Sequence, residues 1–283
     1  MQGKTVLITG GNDGIGKWTA IGLAKMGAEV VIACRNWSKA EKAVVEIRNK
    51  SGNPNIKAFP CDLSSFESVR QLANQFQSAY DQLDVLINNA GLFTSQLEYS
   101  REGFELQFGV NHLGHFLLTQ LLLPQLQNAT KARLVNVASH GHYYGAIDFD
   151  NLRGEKGAAQ YNGWSAYAQS KLANVLFTRE FARRFPTITA NVLHPGAIRT
   201  NIGVKHANWY TSLFWNALKI LMRSQSQGAQ TSIYLASSPE VANLTGLYFD
   251  DDQKQKYPSR VAQDDALAQK LWEVSAQLIQ PFL

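Results

Sequence analysis

Tyr167 and Lys171 stand four residues apart in the stretch SAYAQSK, Ser165–Lys171. On a helix this spacing puts a phenol and an ammonium on one face, a turn apart. At about 4 Å and an effective dielectric of about 20, the ammonium favours the phenolate by on the order of 4 kcal/mol, an upper bound of roughly three pKa units. Such a phenol exchanges protons near neutral pH and can protonate a carbonyl oxygen or deprotonate an alcohol. Taken alone, the same pair also describes a solvated helix face.

Two further patterns favour chemistry. TGGNDGIGK, Thr9–Lys17, sets Gly10, Gly14 and Gly16 directly after an apolar strand, with Asn12, Asp13 and Ile15 between them. Glycines in that context let backbone amides approach a pyrophosphate at a helix N-terminus. The spacing is G-x-x-x-G-x-G rather than the commoner G-x-G-x-x-G. The second strand ends in IACRNWSK, where Arg35 and Asn36 stand and no carboxylate does. An acid there would bind a ribose 2′-hydroxyl; a guanidinium binds a 2′-phosphate instead. The expected cofactor is NADP(H).

The elements that must position these groups are strands alternating with amphipathic helices. The expected strands are Thr5–Thr9, Glu29–Cys34, Ile56–Cys61, Leu83–Asn88, Arg133–Ala138, Thr189–Leu193 and Gly246–Phe249. They lack polar alternation, as in a parallel sheet covered on both faces. The fold class is α/β: one doubly wound Rossmann domain over residues 1–283, with a parallel seven-stranded sheet and helices on both faces. Ser38 with Glu41, and Ser64 with Glu67, read as capping boxes. A last helix, Asp265–Ile279, presents Leu267, Leu271, Val274 and Leu278 as its docking stripe.

Composition narrows the function classes. The chain has 283 residues, a net charge of +5 and 45% hydrophobic residues. Apart from Arg179, Arg183 and Arg184 on one helix, the basic residues are scattered, which argues against nucleic acid. No signal peptide or transmembrane run is legible, so the expected location is cytoplasmic, with peripheral membrane contact left open. Cys34 and Cys61 fit reduced thiols. His112 with His115, and His140 with His142, lack partners at metal-ligand spacing, and no metal is expected.

In this order the motifs resemble the short-chain dehydrogenase/reductase family over nearly the whole chain. They are the glycine loop, CDL at Cys61–Leu63, NNAG at Asn88–Gly91, VNHLGHF at Val110–Phe116, VNVASH ending at His140, YAQSK, and HPGAIRT at His194–Thr200. ACRN, NHLGHF and the long segment after Ser139 resemble its retinol-dehydrogenase-like branch. The resemblance implies a catalytic tetrad of Asn111, Ser139, Tyr167 and Lys171, with Asn111 holding a water that links Lys171 to solvent. It places Asp62 and Leu63 at the adenine, Asn88, Asn89, Ala90 and Gly91 along the cofactor, and Pro195, Gly196, Ile198 and Thr200 around the nicotinamide. Tyr167 and Lys171 would also contact the cofactor ribose.

Aromatic residues crowd the segments around that site. An enlarged loop at about 140–164 carries His142, Tyr143 and Trp164, and a lid at about 200–225 carries Trp209 and Phe214; Phe93 follows the fourth strand. Such linings suit an apolar ligand. The expected activity interconverts a lipophilic aldehyde or ketone with its alcohol, and a retinal-like substrate leads by resemblance. The alternatives are a protochlorophyllide-type double-bond reductase and a non-enzymatic NADP-sensing protein. A monomer and a homodimer are both compatible with the sequence.

Overall fold

Six apolar runs form the parallel strands β1 (Thr5–Thr9), β2 (Glu29–Cys34), β3 (Ile56–Pro60), β4 (Val85–Asn88), β5 (Arg133–Val137) and β6 (Thr189–Leu193) of a computed structural model. It describes residues 1–198 and 223–283. A seventh parallel strand, β7 (Tyr248–Phe249), follows β6, and the sheet order is β3-β2-β1-β4-β5-β6-β7-β8. The eighth strand corrects the expectation of seven. It is Gln255–Lys256, antiparallel to β7 and exposed. Two exposed residues on a hairpin edge carry no apolar run, so the sequence gives no sign of them.

Alternate strand residues feed two cores. Leu7, Val31, Leu86 and Leu134 point to one face, Val6, Ile8, Ile32 and Ile87 to the other. Helices α1 (Gly14–Lys25) and α2 (Trp37–Ser51) cover the second face. On the first lie α3 (Phe66–Ala79), α4 (Gly114–Leu121) and α5 (Gly163–Arg184). After β6 the chain adds α6 (Gln230–Ser237) to the second face and α7 (Asp265–Ile279) to the first.

Both expected capping boxes are displaced. Asn36, not Ser38, caps α2 by accepting from the Lys39 amide at 2.9 Å. Ser65, not Ser64, caps α3. Ser64 instead donates its hydroxyl to Asp62 Oδ1 at 2.7 Å, because Asp62 folds an Asx-type turn over it. The α7 stripe docks as expected, but its centre falls one residue later. Ala268, Leu271, Trp272, Ser275 and Ile279 are buried, while Leu267, Val274 and Leu278 flank them. The Trp272 ring lies 4.9 Å from Phe116 and 5.9 Å from Phe177, with the Arg184 guanidinium 4.9 Å above it.

The switch in strand order falls between β1 and β4. There the carboxyl ends of the strands open a crevice, the usual place for a ligand in such a sheet.

Candidate active site

The glycine loop closes over that crevice by necessity of space. Gly10 has φ +68°, and a Cβ there would lie 3.1 Å from Ala90. A Cβ on Gly16 would meet the Gly10 carbonyl oxygen and Asn89 Nδ2 at 2.4 Å. The loop is therefore seated on Asn89 and Ala90 of the β4 end. Asn89 Nδ2 donates to the Thr9 carbonyl at 2.8 Å, and the Asn89 and Ala90 amides both donate to Thr9 Oγ1. Asp13 caps α1 through the Gly14 amide, and Ile15 packs into the second core.

A cleft of about 200 Å³ runs from this loop across the strand ends. Gly10, Asn12, Arg35, Asp62, Leu63, Ala90 and Gly91 line it, all expected from sequence. Thr9, Ala33, Cys34, Cys61, Leu92 and Val110 line it too. None of these was given a place at the cofactor from sequence, but their positions at strand ends could have found them. Burial pushes the two thiols up, Cys34 to about 11 and Cys61 to about 12, so both stay protonated. Arg35 is exposed at the mouth. Asn88 points away from the cleft and donates to Thr119 and Asn136 across the sheet.

The expected tetrad residues come from three places in the fold. Ser139 follows β5, Tyr167 and Lys171 lie on α5, and Asn111 lies in a buried π-helical turn, Gly109–Leu113, ahead of α4. Turns of this kind concentrate at functional sites. Lys171 is buried, and its Nζ donates to the Val137 carbonyl at 3.0 Å. A Cβ on Gly91 would stand 3.2 Å from that Nζ and 3.4 Å from Asn111 Oδ1, so only glycine leaves this junction open.

Two expectations about these residues change. Lys171 Nζ sits 5.7 Å from the centre of the Tyr167 ring and does not depress the phenol. Burial raises the Tyr167 pKa, a hydrogen bond with Ser139 offsets part of it, and burial lowers Lys171 to about 8. The Asn111 carboxamide is also committed. It accepts from the Leu92 amide at 2.8 Å and donates to the Leu92 carbonyl and Ser170 Oγ, each at 3.0 Å. The Asn111 main-chain oxygen faces the His115 ring, with Nδ1 at 3.1 Å.

The expected aromatic wall divides. Phe93 packs 4.8 Å from Trp164 and 5.9 Å from Tyr167, so these rings do gather at the phenol. His142 does not. It is fully buried, with Nδ1 on the Ser139 carbonyl at 2.8 Å and Nε2 accepting from the Ser259 amide at 3.1 Å. Both ring nitrogens are used in holding the chain beneath Ser139. Tyr143 packs tilted against His142, with ring centres 4.1 Å apart, and donates its hydroxyl to the Tyr257 carbonyl. Beyond β6, Gly196 has φ +83° and packs against Asp251, which pairs with Arg223, while Ile198 is buried. Thr200, Trp209 and Phe214 lie outside the described residues, as does most of the expected lid. Among the described residues no cluster of His, Cys, Asp or Glu suits a metal ion.

A glycine loop at the switch point of a doubly wound sheet, with Ser139, Tyr167, Lys171 and Asn111 gathered beyond it, defines the class of Rossmann-type α/β domains. A family model for short chain dehydrogenase matches residues 4–150. Retinol dehydrogenase 13 of Homo sapiens is 43% identical over 99% of this chain and 85% of its own. A crystal structure from Mycobacterium paratuberculosis, 34% identical, superposes with a TM-score of 0.79 over 99% of this chain and 94% of that one. A short chain dehydrogenase from Escherichia coli complexed with NADPH is 26% identical, with a TM-score of 0.71 over 89% and 97%. The chain belongs to the short-chain dehydrogenase/reductase family, and within it is retinol-dehydrogenase-like.

Proposed function

We propose that the protein is an NADP(H)-dependent oxidoreductase that interconverts a lipophilic aldehyde or ketone with its alcohol, a retinal-like compound first among them. The observation that carries this is the junction of Ser139, Tyr167 and Lys171 with Asn111, at the end of a cleft whose other end holds Arg35. The cradle made by Gly10, Gly16 and Gly91 fits a dinucleotide, since each is a place a Cβ would fill. The NADPH complex of the E. coli relative and the name of the human one point the same way.

When bound, a nicotinamide cofactor would supply the hydride in reduction and accept it in oxidation. Ser139 donates a hydrogen bond to the substrate oxygen as charge develops on it. The Tyr167 hydroxyl then gives up its proton to that oxygen in reduction, and recovers it in the reverse direction. Lys171 holds the base of the site through its bond to the Val137 carbonyl and would bind the ribose of the cofactor. Phe93 and Trp164 offer an apolar wall beside the reacting carbon.

The test follows reduced-nicotinamide absorbance with NADPH or NADH and a panel of all-trans-retinal, medium-chain aldehydes, aromatic ketones and ketosteroids. NADPH-dependent turnover is expected, and Tyr167→Phe should abolish it while NADPH binding stays near normal. More than a tenth of wild-type activity in that variant rejects the role of Tyr167. NADPH binding without turnover of any carbonyl returns the sensing protein, and spectral shifts with protochlorophyllide return the double-bond reductase.

A further inference from the structure

His115 is a buried titratable group with no part in the chemistry just described. Its ring lies between two halves of the site. Nδ1 is 3.1 Å from the Asn111 main-chain oxygen, and Nε2 is 2.8 Å from Thr9 Oγ1. These partners allow one tautomer. A carbonyl only accepts, so Nδ1 carries the proton, and Nε2 of a neutral ring must then accept. Thr9 can serve it: its oxygen already receives the Asn89 and Ala90 amides, which leaves the hydroxyl hydrogen for Nε2. The other acceptor within reach, the Ile87 carbonyl, is 3.5 Å away.

We propose that neutral, Nδ1-protonated His115 is a positioning residue, which fixes the Asn111 main-chain oxygen and ties it to the Thr9 base of the glycine loop. This rests on the functional assignment of Asn111 above. The Asn111 carboxamide is spent on Leu92 and Ser170, so Asn111 would serve the tetrad through its main-chain oxygen, one lone pair of which His115 takes and the other of which can accept a second donor. Thr9 in turn seats Asn89 and Ala90 under the loop. One imidazole therefore sets the register between the nucleotide end and the catalytic end of the crevice. The titratable groups facing it are His112 and Lys171.

His112 provides the internal control. It is equally buried three residues earlier, but bonds Ser275 on α7 and not Asn111. His115→Phe should lower kcat at least tenfold and leave KM for the carbonyl and NADPH affinity within threefold. His115→Asn restores a donor near the Nδ1 position and should recover at least a third of wild-type kcat. His112→Phe should lose stability and keep kcat within threefold. A folded His115→Phe with more than half of wild-type kcat, an Asn variant no better than Phe, or an equal kcat loss in His112→Phe overturns the proposal. Imidazole ¹⁵N spectra of the wild type test it without turnover, so a failure of the assigned activity is distinguishable. An Nδ1–H signal unchanged from pH 6 to 8 is expected, and an Nε2–H tautomer or a titrating ring overturns it.

Discussion

The proposed preference for NADP(H) rests on one exposed guanidinium, Arg35, at the mouth of the cleft. Among the described residues no carboxylate pairs with it, so its charge is free for a 2′-phosphate. Arg35→Ala should raise KM for NADPH at least tenfold and move KM for NADH less than threefold, measured by initial rates at moderate salt. Equal changes for both cofactors would contradict phosphate recognition. Arg35, Ser139, Tyr167, Lys171 and Asn111 stood out in the sequence because the proposed chemistry fixes their types and spacings. His115 and Thr9 did not, since a histidine and a threonine inside apolar runs look like any packed pair until the fold brings them together from 106 residues apart. His142 misled for the opposite reason. Its place beside Ser139 suggested a pocket, but the Ser259 amide, far away in sequence, claims its free nitrogen.

Among the elements, the helix that holds Tyr167 owes its position to α7. The α7 ring of Trp272 is wedged among Phe116 of α4, Phe177 and Phe181 of α5, and Phe185 just past its end. Removing a buried tryptophan of this kind typically costs about 3–5 kcal/mol. Trp272→Ala should lower the urea midpoint accordingly and reduce kcat more than NADPH affinity, because it frees α5 and not the glycine loop. A variant of native stability would show that α7 only rests on the surface. The first six strands were legible to within two residues, since an apolar run bounded by turn residues has few other readings. Cap positions were not: Asn36 and Ser38, or Ser64 and Ser65, are chemically equivalent caps, and tertiary packing chooses between them. The π-turn at Asn111 left no mark in the sequence, because its residues are ordinary helix residues with one register step altered.

For the molecule as a whole, three histidines folded in neutral form set an acid limit. Burial lowers His112 to about 3 and His115 and His142 to about 4. Each binds a proton in the unfolded chain below about pH 6.5 and refuses it in the native state, so stability falls as pH drops through that window. Urea unfolding should show several kcal/mol lost between about pH 6.5 and pH 4.5, and His112→Phe should flatten the slope by about a third. A flat profile across that range would mean that these rings take up protons while folded.

The sheet order has a consequence for how the protein is made. Every residue lining the cleft falls between Thr9 and Val110, and the strands that support it, β3-β2-β1-β4, are contiguous in the sheet. Ser139, Tyr167, Lys171 and the turn at Gly196 all come later in the chain. Synthesis runs from the N-terminus at about 5–20 residues per second. For several seconds a ribosome therefore carries a chain with every residue that lines the cleft and without Ser139, Tyr167 or Lys171.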